Sequence, residues 1–134
     1  MKSKPYKVLI IDDSAADRRI YRRFLLGQQR FELEVFEAET AEDGLKAFAK
    51  LIPDCVILDY RLPDLDGLAV LDALQERAAA DHTKRRVPVI FVTGKPEALL
   101  LSEAYRRGVA KYISKDTITS ASILDAVADA LESN

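Results

Sequence analysis

Three aspartates in this sequence follow directly on apolar runs: Val8-Leu9-Ile10-Ile11 leads into Asp12 and Asp13, and Val56-Ile57-Leu58 leads into Asp59. Two further runs end in a hydroxyl and an ammonium, Thr93 after Val89-Ile90-Phe91-Val92 and Lys115, through Ser114, after Tyr112-Ile113. Taken singly, an aspartate after such a run is a turn residue or a helix cap. Taken together, the five residues suit one chemistry. Carboxylates gathered in one cleft repel and raise one another's pKa, and a hard cation that prefers oxygen ligands, such as Mg2+, relieves the repulsion. A carboxylate is also a nucleophile toward phosphorus, forming an aspartyl phosphate when a cation, an ammonium and a hydroxyl neutralise the transferred oxygens. Lys115 and Thr93 are groups of the last two kinds.

Bringing these residues together requires a sheet. Five short runs rich in branched residues, Tyr6 to Ile11, Leu33 to Ala38, Asp54 to Leu58, Val87 to Val92 and Val109 to Ile113, read as buried parallel strands. Helical spacing links Ala16, Ile20 and Phe24 with Leu25, then Leu68, Leu71 and Leu74, and near the end Ile123, Val127 and Leu131. Helix starts are signalled by Ser14, by Thr40 with a capping-box acid at Asp43, and by Thr119 or Ser120; stops are signalled by Gly27 and Gly108. The alternation predicts an α/β fold, a (βα)5 doubly wound five-stranded parallel sheet with helices on both faces. Such sheets bind ligands at the carboxyl ends of their strands, where the strand order reverses. With an order of 2-1-3-4-5, strands one and three are neighbours at that point, and Asp12, Asp13 and Asp59 meet. Glu37 and Glu39 then end the second strand at an edge.

The rest of the composition bounds the class. A length of 134 residues, 49% hydrophobic and 31% charged, predicts one domain over residues 1–134. Twenty basic and 22 acidic residues give a formal net charge of -2, which predicts neither nucleic acid nor a membrane as a direct partner. The single cysteine, Cys55, lies in an apolar run and reads as a free buried thiol. The opening MKSKPYK carries no apolar signal segment, and no run approaches the ~18 apolar residues of a membrane span. The expected location is the cytoplasm. The run RAAADHTKRR, Arg77 to Arg86, reads as an extension of the third helix followed by a basic, solvated loop containing the one histidine, His82.

The pieces VLIIDDS, VILDYRLPDLDGL, VIFVTG and KYISK, in this order and spacing, make the chain resemble the response-regulator receiver domain of two-component phosphorelay systems, the CheY-like family with flavodoxin-like strand order. The resemblance covers nearly the whole chain. It implies that Asp59 is the phosphoacceptor, that Asp13, Asp59 and the backbone carbonyl of Arg61 hold Mg2+, and that Asp12 assists through water. Thr93 and Lys115 would take phosphoryl oxygens, and Tyr112 matches the family's switch aromatic. Strand parity suits that division, since Tyr112 and Lys115 fall on opposite sides of the sheet. The implied donor is a sensor histidine kinase or histidine phosphotransfer protein. The output is a downstream protein target met by the strand-5 face, with homodimerisation on phosphorylation as a further option, and the implied activity is signalling rather than turnover. Leu62-Pro63 and Gly67 would shape the floor of the site, and Arg61 and Lys95, two positions past Asp59 and Thr93, stand where the family tunes phosphoryl lifetime.

Where the family places proline after its lysine, this chain has Asp116, and KDTIT resembles receiver modules attached to larger signalling proteins. The chain is therefore expected to be a stand-alone regulator or one module of such a protein. Arg18, Arg19, Arg22 and Arg23 form either a solvated face or a dock for an acidic phosphodonor. Two other readings compete with this one. A haloacid-dehalogenase-like phosphatase needs an Asp-x-Asp pair after its first strand, whereas Asp12 and Asp13 are adjacent. A degenerate receiver serving only as a protein-binding scaffold needs no intact acidic site.

Overall fold

The computed structural model describes residues 4–80, 87–94 and 97–132. Its elements run β1 (Tyr6–Ile11), α1 (Ala15–Gly27), β2 (Leu33–Ala38), α2 (Ala41–Leu51), β3 (Cys55–Asp59), α3 (Gly67–Ala80), β4 (Val89–Thr93), α4 (Ala98–Arg106), β5 (Lys111–Ser114) and α5 (Ser120–Glu132). The five strands are parallel in the order β2-β1-β3-β4-β5. This is the (βα)5 doubly wound sheet expected from the sequence.

Side chains alternate across a strand, so each apolar strand feeds two cores. Val8, Ile10, Cys55, Ile57, Ile90 and Val92 pack against Tyr21 and Leu25 of α1 and Ile123, Val127 and Leu131 of α5. Their neighbours Leu9, Ile11, Val56, Leu58, Val89 and Phe91 pack against Phe48 of α2, Leu71 and Leu74 of α3 and Ala104 of α4. Strands β3 and β4 are buried along their whole length, which is why they read as unbroken apolar runs.

Helix ends follow local chemistry. Ser14 Oγ accepts from the Asp17 N–H, and Thr40 Oγ1 from the Asp43 N–H. Thr119 and Ser122 cap reciprocally, each side-chain oxygen accepting the other's N–H. Gly108 takes the left-handed conformation after α4, with φ 96°. Gly27 instead closes α1 from inside, with Gln28 as the cap. α2 ends without a glycine: Ile52 adopts φ 49° and its N–H donates to the Phe48 carbonyl, before Pro53 bars continuation. At the exposed edge, the Tyr112 N–H of β5 donates to the Tyr105 hydroxyl of α4.

Several sequence boundaries shift. β3 starts at Cys55 and includes Asp59, β4 starts at Val89, and β5 starts at Lys111 and extends to Ser114. The apolar face assigned to α1 is corrected. Ala16 and Ile20 are exposed, Phe24 is half-buried, and the inward residues are Tyr21 and Leu25. α3 is described from Gly67 to Ala80, and residues 81–86, including His82, on which the rest of the expected extension and basic loop falls, lie outside the described residues, as does Lys95.

Candidate functional site

Asp59 is the last residue of β3 and Asp12 the first after β1. The pairings Ile10 with Ile57 and Ile11 with Leu58 carry the two strands in step to the rim, where both aspartates point to the α1/α5 side. Asp12 is 1% exposed and Asp59 4%, while Asp13 is exposed. One oxygen from each of the three carboxylates lies within 4.8 Å of the others. This is the meeting that the strand order predicts.

The fit to a cation can be tested atom by atom. Asp12 Oδ1 accepts the Ser14 N–H at 2.8 Å, whereas its buried Oδ2 has the Lys115 ammonium 3.1 Å away and, among the described residues, no well-formed hydrogen bond. A single ion pair leaves a buried carboxylate oxygen with acceptor capacity to spare. Three carboxylates with a spare buried oxygen suit a hard divalent cation. These residues could bind a metal.

Lys115 crosses from the loop after β5 into this cluster. Its Nζ lies 2.7 Å from Asp17 Oδ2, 3.1 Å from Asp12 Oδ2 and 3.3 Å from Asp59 Oδ2. Its backbone N–H donates to the Thr93 carbonyl at 3.0 Å, tying the loop to β4. The Thr117 N–H donates to the Ser114 carbonyl across a short turn, and every peptide bond among the described residues is trans, Lys115-Asp116 included.

Electrostatics follow from burial and neighbours. Burial first, and the Asp12 charge second, push the Asp59 carboxyl from 3.8 up to about 6, with Lys115 and the Arg61 amide pulling against them. Burial likewise raises Asp12, opposed by the Ser14 amide and Lys115. For Lys115, burial alone disfavours the charged form; the hydrogen bond to Asp17 and the charges of Asp12 and Asp59 overcome it and hold the ammonium protonated.

Arg61 donates its N–H to Asp59 Oδ1 at 3.3 Å and pairs with Asp66 in a single antiparallel bridge. That bridge closes the loop carrying Leu62-Pro63. The Gly67 N–H donates to the Tyr60 carbonyl at 2.7 Å, and a Cβ on Gly67 would lie 2.6 Å from Tyr60 Cα. Only glycine lets α3 start this close. Thr93 ends β4 one residue past Val92, the register partner of Asp59, and is 2% exposed. Tyr112 stands apart, its ring half-buried beside Phe91 on the opposite face of the sheet and its buried hydroxyl without a partner among the described residues.

Sequence reasoning missed two contributors. Asp17 sits on the inward face of α1, four residues before Tyr21, and makes the shortest contact to Lys115. Asp64 reaches from the β3–α3 loop to accept the Ala41 and Glu42 N–H groups at 2.9 and 3.0 Å, which holds its carboxyl below the usual range. With Thr40 taking the Asp43 N–H and the Thr40 carbonyl that of Gly44, the first turn of α2 is fully satisfied. The arginine face is corrected at one position. Arg18, 14% exposed in its side chain, is drawn inward: it donates to the Asp12 carbonyl at 2.6 Å and pairs with Glu37 at 3.0 Å. Arg22 reaches the Val35 carbonyl and Glu37 yet stays exposed, as do Arg19 and Arg23.

Comparison with known proteins agrees with the geometry. The family model described as response regulator receiver domain matches residues 8–128. Over 113 residues the chain is 37% identical to protein-glutamate methylesterase/protein-glutamine glutaminase 5 of Myxococcus xanthus, covering 84% of this chain and 31% of that protein. It is 38% identical over 108 residues to the KDP operon transcriptional regulatory protein KdpE of Escherichia coli, covering 81% and 44%. The chain thus spans less than half the length of these relatives. Among solved structures, the response regulator domain of Thermotoga maritima CheB superposes with a TM-score of 0.81 at 23% identity, covering 96% of this chain and 98% of that one. CheY4 of Vibrio cholerae gives 0.79 at 21%, covering 96% and 100%.

Proposed function

Since the chain belongs to the response regulator receiver domain family of two-component signalling, we propose that it is a phosphoacceptor whose nucleophile is Asp59. The observation that carries this reading is the placement of that carboxylate. It is buried at the sheet rim with an ammonium 3.3 Å away and two further carboxylates close enough to share a cation. An Asp59 oxygen attacks the phosphorus of a phosphohistidine on a sensor kinase or phosphotransfer protein, an O–P bond forms, and the P–N bond breaks with the histidine leaving. Bound Mg2+ supplies charge neutralisation for the transferred oxygens. Asp12, Asp13, Asp59 and the Arg61 carbonyl are the residues to hold it. Lys115 pairs with the phosphoryl group and Thr93 offers its hydroxyl.

The response passes to the face around β5. Movement of Thr93 at the end of β4 is felt by Tyr112, whose buried and unpartnered hydroxyl gains by finding an acceptor. A downstream protein reads that face, and dimerisation on phosphorylation is one form the reading takes. Residues 1–134 act as one receiver unit in the cytoplasm, the latter in keeping with the free buried thiol of Cys55. Among the described residues no helix is long and apolar enough to cross a membrane. The unit turns over nothing but its own phosphoryl group.

Intact mass after incubation with acetyl phosphate, with and without Mg2+, tests the proposal. The expected result is a single Mg2+-dependent phosphoryl adduct on the native protein and none on Asp59→Asn. A folded protein that stays unlabelled under conditions that label another receiver domain refutes it in favour of a scaffold.

A further inference from the structure

The Lys115 ammonium has three N–H donors and three carboxylates around it, and the shortest contact, 2.7 Å, is to Asp17 rather than to Asp12 or Asp59. The three are not equivalent. Asp12 and Asp59 belong to the cluster that could share a cation, and Asp59 is also the proposed acceptor, so both change character when the site fills. Asp17 lies outside that cluster and is fixed by its helix. Its N–H donates to Ser14 Oγ at 3.2 Å, and the Ser14 N–H donates to Asp12 Oδ1 at 2.8 Å, so α1 is pinned to the rim on which Lys115 must act.

Lys115 needs such an anchor. It follows the short edge strand β5, its loop has, among the described residues, a single backbone tie to β4, and Asp116 gives the next position none of the restraint that a proline ring imposes. A four-carbon stem with roughly 2 kcal/mol of rotamer freedom does not aim itself. Resting on the reading of Asp59 as phosphoacceptor, we propose that Asp17 is a positioning residue: it holds the Lys115 ammonium over Asp59 and keeps it there once cation and phosphoryl group have claimed the other two carboxylates.

The test is a double-mutant cycle on the rate of phosphorylation by acetyl phosphate at saturating Mg2+, with Asp17→Asn placed in native and Lys115→Ala backgrounds. Positioning predicts a slowing of about tenfold in the native background, the usual scale for a charge-assisted hydrogen bond, and under about twofold where Lys115 is gone. Equal slowing in both backgrounds would assign Asp17 to the helix dipole alone, and no slowing in either would remove the proposal. A second readout uses metal-free protein: the 15N-detected amino signal of Lys115 is protected from exchange in the native chain and loses that protection in Asp17→Asn. Persistence of the protection refutes the anchor whatever the labelling shows. Failure of the native protein to label, with the amino signal behaving as expected, instead refutes the phosphoacceptor reading.

Discussion

Asp59 bears a conflict between burial and charge that sets how the fold responds to pH. Its carboxyl titrates near 3.8 in the unfolded chain and about 6 in the folded one, so between those values the native state holds the extra proton. Stability from this group is therefore fully present below pH ~4 and is lost as pH rises through about 6. At 1.4 kcal/mol for each tenfold change in proton affinity, the loss reaches ~3 kcal/mol. Urea denaturation in metal-free buffer should show unfolding free energy falling between pH 4 and pH 6, and Asp59→Asn should flatten that fall and be the more stable protein at pH 7. At this scale the sequence was readable wherever a polar residue interrupts an apolar run. Asp12, Asp59, Thr93 and Lys115 announce themselves as strand-end residues out of keeping with what precedes them. Asp17 does not, because an acid in the first turn of a helix is ordinary helix chemistry.

Elements were legible in proportion to how uniformly they are buried. β3 and β4 are enclosed on both faces and stand out as apolar runs, as does the Ile123, Val127, Leu131 stripe of α5. α1 misleads because its inward face begins with a charge. Asp17 reaches Lys115, so the stripe Asp17, Tyr21, Leu25 looks weaker than Ala16, Ile20 and Phe24 with Leu25, of which Ala16 and Ile20 are exposed. The cap that Asp64 provides is invisible for another reason: its partners Ala41 and Glu42 belong to a different connection, and only the packing of the two loops joins them. Gly67 is the element-scale position most exposed to test. A methyl there meets Tyr60 Cα at 2.6 Å and the Phe91 ring at 2.9 Å, and the first of these is backbone that cannot rotate away. Gly67→Ala should cost on the order of 2 kcal/mol in chemical denaturation, within the range of overpacked cores. It should also slow labelling of Asp59, because the shifted α3 start drags Tyr60 and Arg61 with it.

The molecule as a whole is near charge balance, yet it concentrates three carboxylates at one rim. A cation that binds the folded state and not the unfolded one stabilises by mass action, about 2.7 kcal/mol at a hundredfold excess over Kd. Thermal unfolding should therefore move upward with added Mg2+, and Asp13→Asn should remove most of the shift, since Asp13 is a member of the cluster exposed enough to be replaced without leaving a buried hole. Fold class and the meeting of the three carboxylates were both accessible from the sequence because they share a cause. A parallel sheet with its order reversed beside β1 has one place where strand ends open into a cleft, and Asp12, Asp13 and Asp59 gather there.

The bond from the Tyr112 N–H to the Tyr105 hydroxyl carries a consequence at the opposite side of the sheet from the acidic rim. β5 is an outer strand, and an outer strand normally offers its amides as a template on which another chain can extend the sheet. Here one of those amides is already occupied from within the same molecule, by a phenol borrowed from the adjacent helix. At that amide a second chain would meet the ring of Tyr105, 49% exposed, in place of a free backbone donor. Strand-to-strand polymerisation is discouraged at the same point.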